Sequence, residues 1–309
     1  MLVSVNKGTI TGCAVKGTVA GGNYTAGLAA VNTGTITGST NEAGVSGAQY
    51  VGGISGQNKG TKDGAARIES CVNLGMIRAS GFMAGGITGD NDGYGESFDH
   101  AAVKNCASSG HVISTAAVMQ AYVGGIIGRN NGVGQNLYNE GNVEAVGGCV
   151  GGTVGRTLSK ATSDNTYNTA DVTGGDYEDD GYPTDDAVST ETELAQAKRT
   201  MGQVLDRLPQ RETISGSLTM EGQAAVEATV RANYTGEETG LVYVWYLSYG
   251  EDDPAVLAIS EDPEYVIPLS MAGRKLYVKA LCAGRSGVLQ AETGRIQGLT
   301  GVLKIQGPA

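Results

Sequence analysis

Residues 51–80 read VGGISGQNKGTKDGAARIESCVNLGMIRAS, and versions of this stretch recur from the first residue to about Gly175. Two Asn-x-Gly marks, Asn58-Lys59-Gly60 and Asn73-Leu74-Gly75, divide it into short apolar runs. Asn and Gly tolerate the positive φ of tight turns, so the marks read as turns. Around them Val51, Ile54, Ile68, Cys71 and Ile77 have the spacing of strands.

The first mark returns as Asn6-Gly8, Asn32-Gly34, Asn58-Gly60, Asn91-Gly93 and Asn130-Gly132. Glycine-rich apolar strands precede four of them: AGLAAV at 26–31, VGGISG at 51–56, AGGITG at 84–89 and VGGIIG at 123–128. A last copy, VGGTVG at 150–155, lacks the Asn. Aligned on the second glycine, the copies start at Gly27, Gly53, Gly86, Gly125 and Gly152, in steps of 26, 33, 39 and 27. A period of this size with strands between turns predicts a β-helix-like solenoid over 1–175, each unit burying its apolar face against its neighbours. The unequal steps map to insertions at Thr61 to Ala66 and Tyr94 to Ala101, which should loop out from one face.

If each unit is one coil, Cys13, Ser39, Cys71, Cys106, Leu137 and Thr166 stack in one inward column at about the 4.8 Å strand spacing. The turn asparagines stack likewise, as a ladder of side-chain amides.

Composition narrows the rest. Fifty Gly, two Phe and one Trp among 309 residues argue against a large aromatic core, and the glycines follow no Gly-X-Y period. The net charge of −11, with 21 scattered Lys and Arg, disfavours nucleic acid or an anionic membrane as partner. Five Cys cannot all pair within one chain and match no zinc spacing. No apolar run reaches the roughly 18–20 residues of a membrane span, and no signal-peptide layout opens the chain. Met1 opens in mid-repeat, which reads as a piece of a longer protein.

The repeats resemble the GLUG motif of bacterial surface proteins, which include some IgA-specific metallopeptidases and adhesins. The matching residues are VGGISGQNKG with SCVNLG, AGGITGDNDG with NCASSG, and VGGIIGRNNG with NLYNEG, within residues 1–175. The resemblance implies an extracellular or cell-surface bacterial protein and brings no catalytic residue with it.

An acidic linker and helix follow at 176–210. Eight carboxylates and no Lys or Arg lie between Asp176 and Glu193, a solvated run by the usual reading. Its other reading is a Ca²⁺ site at Asp176, Glu178, Asp179 and Asp180. Thr190 with Glu193 reads as a capping box, and Leu194, Ala197, Met201, Val204, Leu205 and Leu208 keep helical spacing up to Pro209. The expectation is a short helix capping the open last coil of the solenoid.

From 211 to 309 the pattern alternates: 225–232, 241–247, 265–268 and 275–282 read as strands of a β-sandwich around Trp245. Tyr243, Trp245 and Tyr246, then Ser270 to Gly273, resemble the signature of bacterial Ig-like domains, which act as spacers or adhesive modules. Cys282 has no Cys opposite it, so the antibody-type disulfide is missing.

Catalytic motifs are absent. There is no His-Glu-x-x-His, and His100 and His111 are read as exposed residues in or beside an insertion. No GxSxG elbow or phosphate loop occurs outside the repeat pattern. The enzymatic alternative is a polysaccharide lyase or hydrolase using Asp90, Asp92, Glu96 and Asp99, with Asp90 and Asp92 also possible Ca²⁺ ligands. Against it, DNDGYGESFD reads as a solvated loop.

The expected function is therefore a non-enzymatic adhesin-like or display segment, binding a glycan or a host protein, with a pure spacer as a further alternative. The insertions at 61–66 and 94–101, with Tyr94, Glu96, Phe98 and Asp99, are the expected binding loops.

Overall fold

The computed structural model describes residues 1–175, 188–247 and 255–298. The chain divides into two compact units, Met1–Thr213 with Ala283–Ser286, and Ile214–Cys282 with Gly287–Ala309.

The first unit is a β-helix-like stack built from parallel sheets. Its first sheet is 6-stranded and runs through the coils in chain order: Val3–Asn6, Ala29–Asn32, Ser55–Lys59, Thr88–Asp92, Ile127–Asn131 and Val154–Thr157. A 9-stranded second sheet, a 6-stranded third and a 5-stranded fourth complete each coil. Pairing is in register on the repeat, with Asn6 opposite Asn32, Asn32 opposite Asn58, Asn58 opposite Asn91, and Asn91 opposite Asn130.

These asparagines form the ladder the sequence predicts. Nδ2 of Asn6, Asn32, Asn58 and Asn91 each donates to Oδ1 of the next, at 2.8 Å in all four cases. Two further ladders run beside it. Asn41 donates to Asn73 at 2.8 Å, Asn73 to Ser108 at 3.2 Å, and Asn139 to Asn168 at 3.0 Å. At another corner Asn136 donates to Asn105 and Asn165 to Asn136, each held in left-handed backbone.

The Gly-Gly pair follows from the second of these ladders. A Cβ at Gly53 would sit 2.3 Å from Asn73 Oδ1 and 2.4 Å from Gly86 O. Asn41 crowds Gly27, Ser108 crowds Gly86, Asn139 crowds Gly125 and Asn168 crowds Gly152 in the same way. Between the turns lie two apolar cores. Leu28, Ile36, Ile54, Ile68, Ile87, Val103 and Ile126 fill one with Cys71, Cys106 and Leu137, and Val45, Val51, Ile77, Val112, Val123 and Val143 fill the other.

The helix Glu191–Leu205 begins with the predicted capping box, Thr190 Oγ1 accepting from Glu193 N while the Glu193 carboxylate accepts from Thr190 N. Thr190→Ala should cost about 1 kcal/mol, read as a lowered guanidinium midpoint. Its position corrects the expectation of an end cap. In register, Val72, Ala107, Tyr138 and Tyr167 form a column next in sequence to Cys71, Cys106, Leu137 and Thr166. Alternation turns them away from the core. The resulting apolar stripe takes the helix along the flank of the stack, against Ala197, Met201, Val204 and Leu205. Arg207 completes the strap, donating to Ser70 O at 2.6 Å, Ser39 O at 3.0 Å and Thr40 Oγ1 at 2.6 Å. Asp176, Glu178, Asp179 and Asp180 lie outside the described residues. Among the described residues no helix is long and apolar enough to cross a membrane.

The second unit is antiparallel. Leu218–Gly222, Thr229–Tyr234 and Glu264–Val266 form a 3-stranded sheet. Ala255–Ser260, Val242–Leu247, Leu276–Leu281 and Leu289–Glu292 form a 4-stranded one. One core joins residues of both sheets around the fully buried Trp245, which stacks on Tyr265 at 5.2 Å. Leu241, Tyr243 and Leu247 share that core, as their spacing predicts.

Candidate functional site

Both insertions leave the stack at the same corner, where the first sheet ends. Gly60 N donates to Asp92 O at 2.8 Å and Gly93 N to Asn131 O at 3.0 Å, so the turns sit on successive coils. Each insertion closes on itself at once, Thr61 bridging Gly64 and Tyr94 bridging Ser97. A 3-10 turn, Phe98–His100, then leads into the strand Ala101–Ser108. His100 Nδ1 donates to Thr61 O at 2.7 Å and ties one insertion to the other. His100 is thus half-buried and structural, and His111, also read as exposed, is buried and accepts from Asn142 N.

At the tip Tyr94 is 46% exposed and Asp99 is exposed. The Glu96 side chain is 92% exposed and lies 3.5 Å from Lys160 Nζ. That amine also stands 5.5 Å from the centroid of the half-buried Phe98 ring. Tyr94, Glu96, Phe98 and Asp99 therefore share one small ridge with Lys160, which sequence reading did not single out.

Asp90 is a correction. Read as part of a solvated acidic loop, it lies within the strand Thr88–Asp92 and is fully buried. Arg129 clamps it, Nε to Oδ1 at 2.8 Å and Nη2 to Oδ2 at 2.9 Å, and Gln57 Nε2 donates to Oδ2 at 3.0 Å. Burial pushes the Asp90 carboxyl above its ordinary pKa, and the Arg129 fork pulls against that shift. Asp92 accepts from Asn131 Nδ2 at 3.0 Å, with Arg129 Nη2 3.8 Å away.

The four acids thus do not converge on one free pair. Asp90 belongs to Arg129, Asp92 is shared by Asn131 and Arg129, and Glu96 is with Lys160. Among the described residues no cluster of three or more His, Cys, Asp or Glu is disposed to hold a metal ion. The cation that holds Asp90, Arg129, lies 39 residues on, in the next coil, so a linear reading of DNDGYGESFD does not show it. Alignment on the ladder asparagine would have shown it, since Gln57, Asp90, Arg129 and Arg156 each precede that position.

A second missed column adjoins this network. Tyr50, Met83, Tyr122 and Cys149 are in register where the fourth sheet begins. Tyr24 stacks on Tyr50 at 4.6 Å with the rings 2° from parallel, and both residues are in left-handed backbone. Burial raises the Tyr50 hydroxyl pKa, with smaller contributions from Tyr24 and the nearby Asp90. Arg156 sits 4.9 Å from the Tyr122 ring centroid. Of this column and its neighbour Tyr24, only Tyr24 is exposed, Tyr50 is half-buried near Asp90, Arg129 and Asp92, and Met83, Tyr122 and Cys149 are buried. Tyr24 therefore offers one flat apolar face, and the buried carboxylate near Tyr50, that of Asp90, is held in an ion pair.

No protein-family model matches the chain, and no curated protein matches it. Among solved structures, a crystal structure of a "putative immunoglobulin A1 protease" from Bacteroides ovatus is 29% identical with a TM-score of 0.42, and the match covers 54% of this chain and 50% of that one. The chain spans about half the length of that protein.

Proposed function

We propose that this chain is a non-enzymatic recognition segment of a bacterial cell-surface or secreted protein. In this reading it is a GLUG-type solenoid carrying a C-terminal Ig-like module, and it binds a glycan or a protein through the ridge at 94–101 and the surface beside it. The observation that carries the reading is the pairing of the two insertions at one corner, locked by His100 and crowned by the exposed Tyr94. Insertions that vary without disturbing a rigid scaffold are where binding residues concentrate. Exposed aromatic rings beside fixed polar groups suit the apolar faces and hydroxyls of sugars, or a peptide.

The enzymatic alternative would need two carboxylates free to act as acid and base. The bidentate hold of Arg129 on Asp90 weighs against it.

A glycan-array and host-protein screen on the whole chain, with reducing-sugar release assayed on every glycan hit, tests the reading. The expected result is saturable binding without product, weakened about tenfold, or about 1.4 kcal/mol, by Tyr94→Ala with Phe98→Ala. Product that vanishes on Asp90→Asn would replace the reading with the enzymatic one. Silence in both assays would leave a spacer.

A further inference from the structure

One corner of the second sheet is left-handed in six successive coils. Gly12, Gly38, Ser70, Asn105, Asn136 and Asn165 stand in register there, with φ between 50° and 60°. Asn tolerates that backbone better than most residues with side chains. The three asparagines form a ladder, Asn165 Nδ2 donating to Asn136 at 3.0 Å and Asn136 Nδ2 to Asn105 at 2.7 Å. At the next step inside the stack stands Ser70, whose shorter side chain does not continue it. Among the described residues neither Asn105 Nδ2 nor Ser70 Oγ has a hydrogen-bond partner.

A cavity of about 360 Å³ opens at this step, between Ser70 and Asn105 on the stack and residues 198–204 of the flanking helix. Sites for small ligands begin at about 300 Å³. The helical wall includes Lys198, Arg199 and Gln203, and no carboxylate among the described residues lines the cavity, although the chain carries a net charge of −11. Arg199 gives Nε and Nη2 to Gln196 Oε1, and Lys198 pairs with no acid among the described residues. Gly202 belongs to the same wall. Glycine is a poor residue inside a helix, and close packing does not require it here, since a Cβ would meet nothing within 4 Å. A long side chain at 202 would instead take up the cavity.

We propose that this cavity binds one acidic sugar residue by its carboxylate. Asn105 Nδ2 donates to a carboxylate oxygen in the place where a further ladder amide would accept, and Ser70 Oγ donates beside it. Lys198 and Arg199 supply the charge, and charge-assisted hydrogen bonds are the strong ones. The Gln203 amide, both donor and acceptor, suits a ring hydroxyl, which is also both. A lining of donors and cations without an acid selects the carboxylate over a neutral sugar. The site goes beyond the ridge at 94–101, which leaves the stack at another corner, and does not depend on it.

The test titrates the whole chain, labelled at asparagine, with glucuronate and N-acetylneuraminate, two sources of such a carboxylate, and with glucose and inorganic sulfate for comparison. The expected result is saturable binding of at least one acidic sugar with a shifted Asn105 side-chain amide resonance, and neither effect from glucose. Ser70→Asn completes the ladder from the stack, and Gly202→Leu fills the cavity from the helix. Each should weaken binding at least about tenfold. Neither should lower the melting temperature, because Asn suits the left-handed corner and Leu suits a helix. Lys198→Gln with Arg199→Gln, both exposed, should weaken binding without touching the corner. The proposal is overturned by an Asn105 amide that neither acid shifts, by binding that survives both filling variants, or by glucose or sulfate bound as tightly as the acidic sugars. Asn105 reports on the cavity alone, so that outcome would leave the ridge reading standing.

Discussion

Gly53→Ala will lower the stability of the first unit by about 3 kcal/mol, the upper end of the usual cost of overpacking. The new methyl would meet Gly86 O at 2.4 Å and Asn73 Oδ1 at 2.3 Å. Neither can retreat cheaply. The carbonyl is ladder backbone that accepts from Gly53 N, and the amide is bonded to Asn41, Ser108 and Gly75. A denaturant titration reads the loss as a fall in midpoint. Gly202→Ala is the internal control, because its Cβ would meet nothing within 4 Å and alanine favours the helix by up to about 1 kcal/mol. If both variants moved the midpoint alike, close packing at the Gly-Gly turn would not be its cause.

Arg129→Ala will cost about 3–5 kcal/mol at neutral pH, because it leaves Asp90 buried and charged with only Gln57 donating to it. The sign of the pH dependence follows from burial, which raises the Asp90 pKa in the folded state. A carboxyl raised on folding contributes stability that is complete below its unfolded pKa, about 3.9, and is lost as pH rises through its folded pKa. Without the fork the folded pKa rises further. The deficit of the variant should therefore be smaller at pH 4 than at pH 7 in calorimetric melting, and Asp90→Asn in the same chain should recover part of the loss at pH 7. An equal deficit at both pH values would mean that the ion pair is not what Arg129 supplies.

What was legible in the sequence were the features a backbone demands locally. Asn-x-Gly marks a turn whatever lies around it, so Asn32, Asn58 and Asn91 located the coils and their ladder. Thr190 and Glu193 announced the helix start in the same local way, and alternation about Trp245 located a core strand. Illegible were the features that depend on what stands one coil away. Val72, Ala107, Tyr138 and Tyr167 read singly as scattered apolar residues, and only their register makes the stripe that draws the helix to the flank. Asp90 and Arg129 are separated by an unequal step, so a linear reading placed the acid in a loop and left its partner unnoticed. The Gly-Gly pair was visible as punctuation, but its cause, the amide of Asn73 pressed against Gly53, belongs to the folded coil.

The measurement that tests the coil stack most directly is hydrogen exchange of the side-chain amides in a sample labelled at asparagine. The ladder predicts that Nδ2 protons of Asn32, Asn58 and Asn91, each buried and donating at 2.8 Å, exchange far more slowly than those of the exposed Asn165. Exchange of all four at the rate of free amides would contradict the stacked, in-register solenoid.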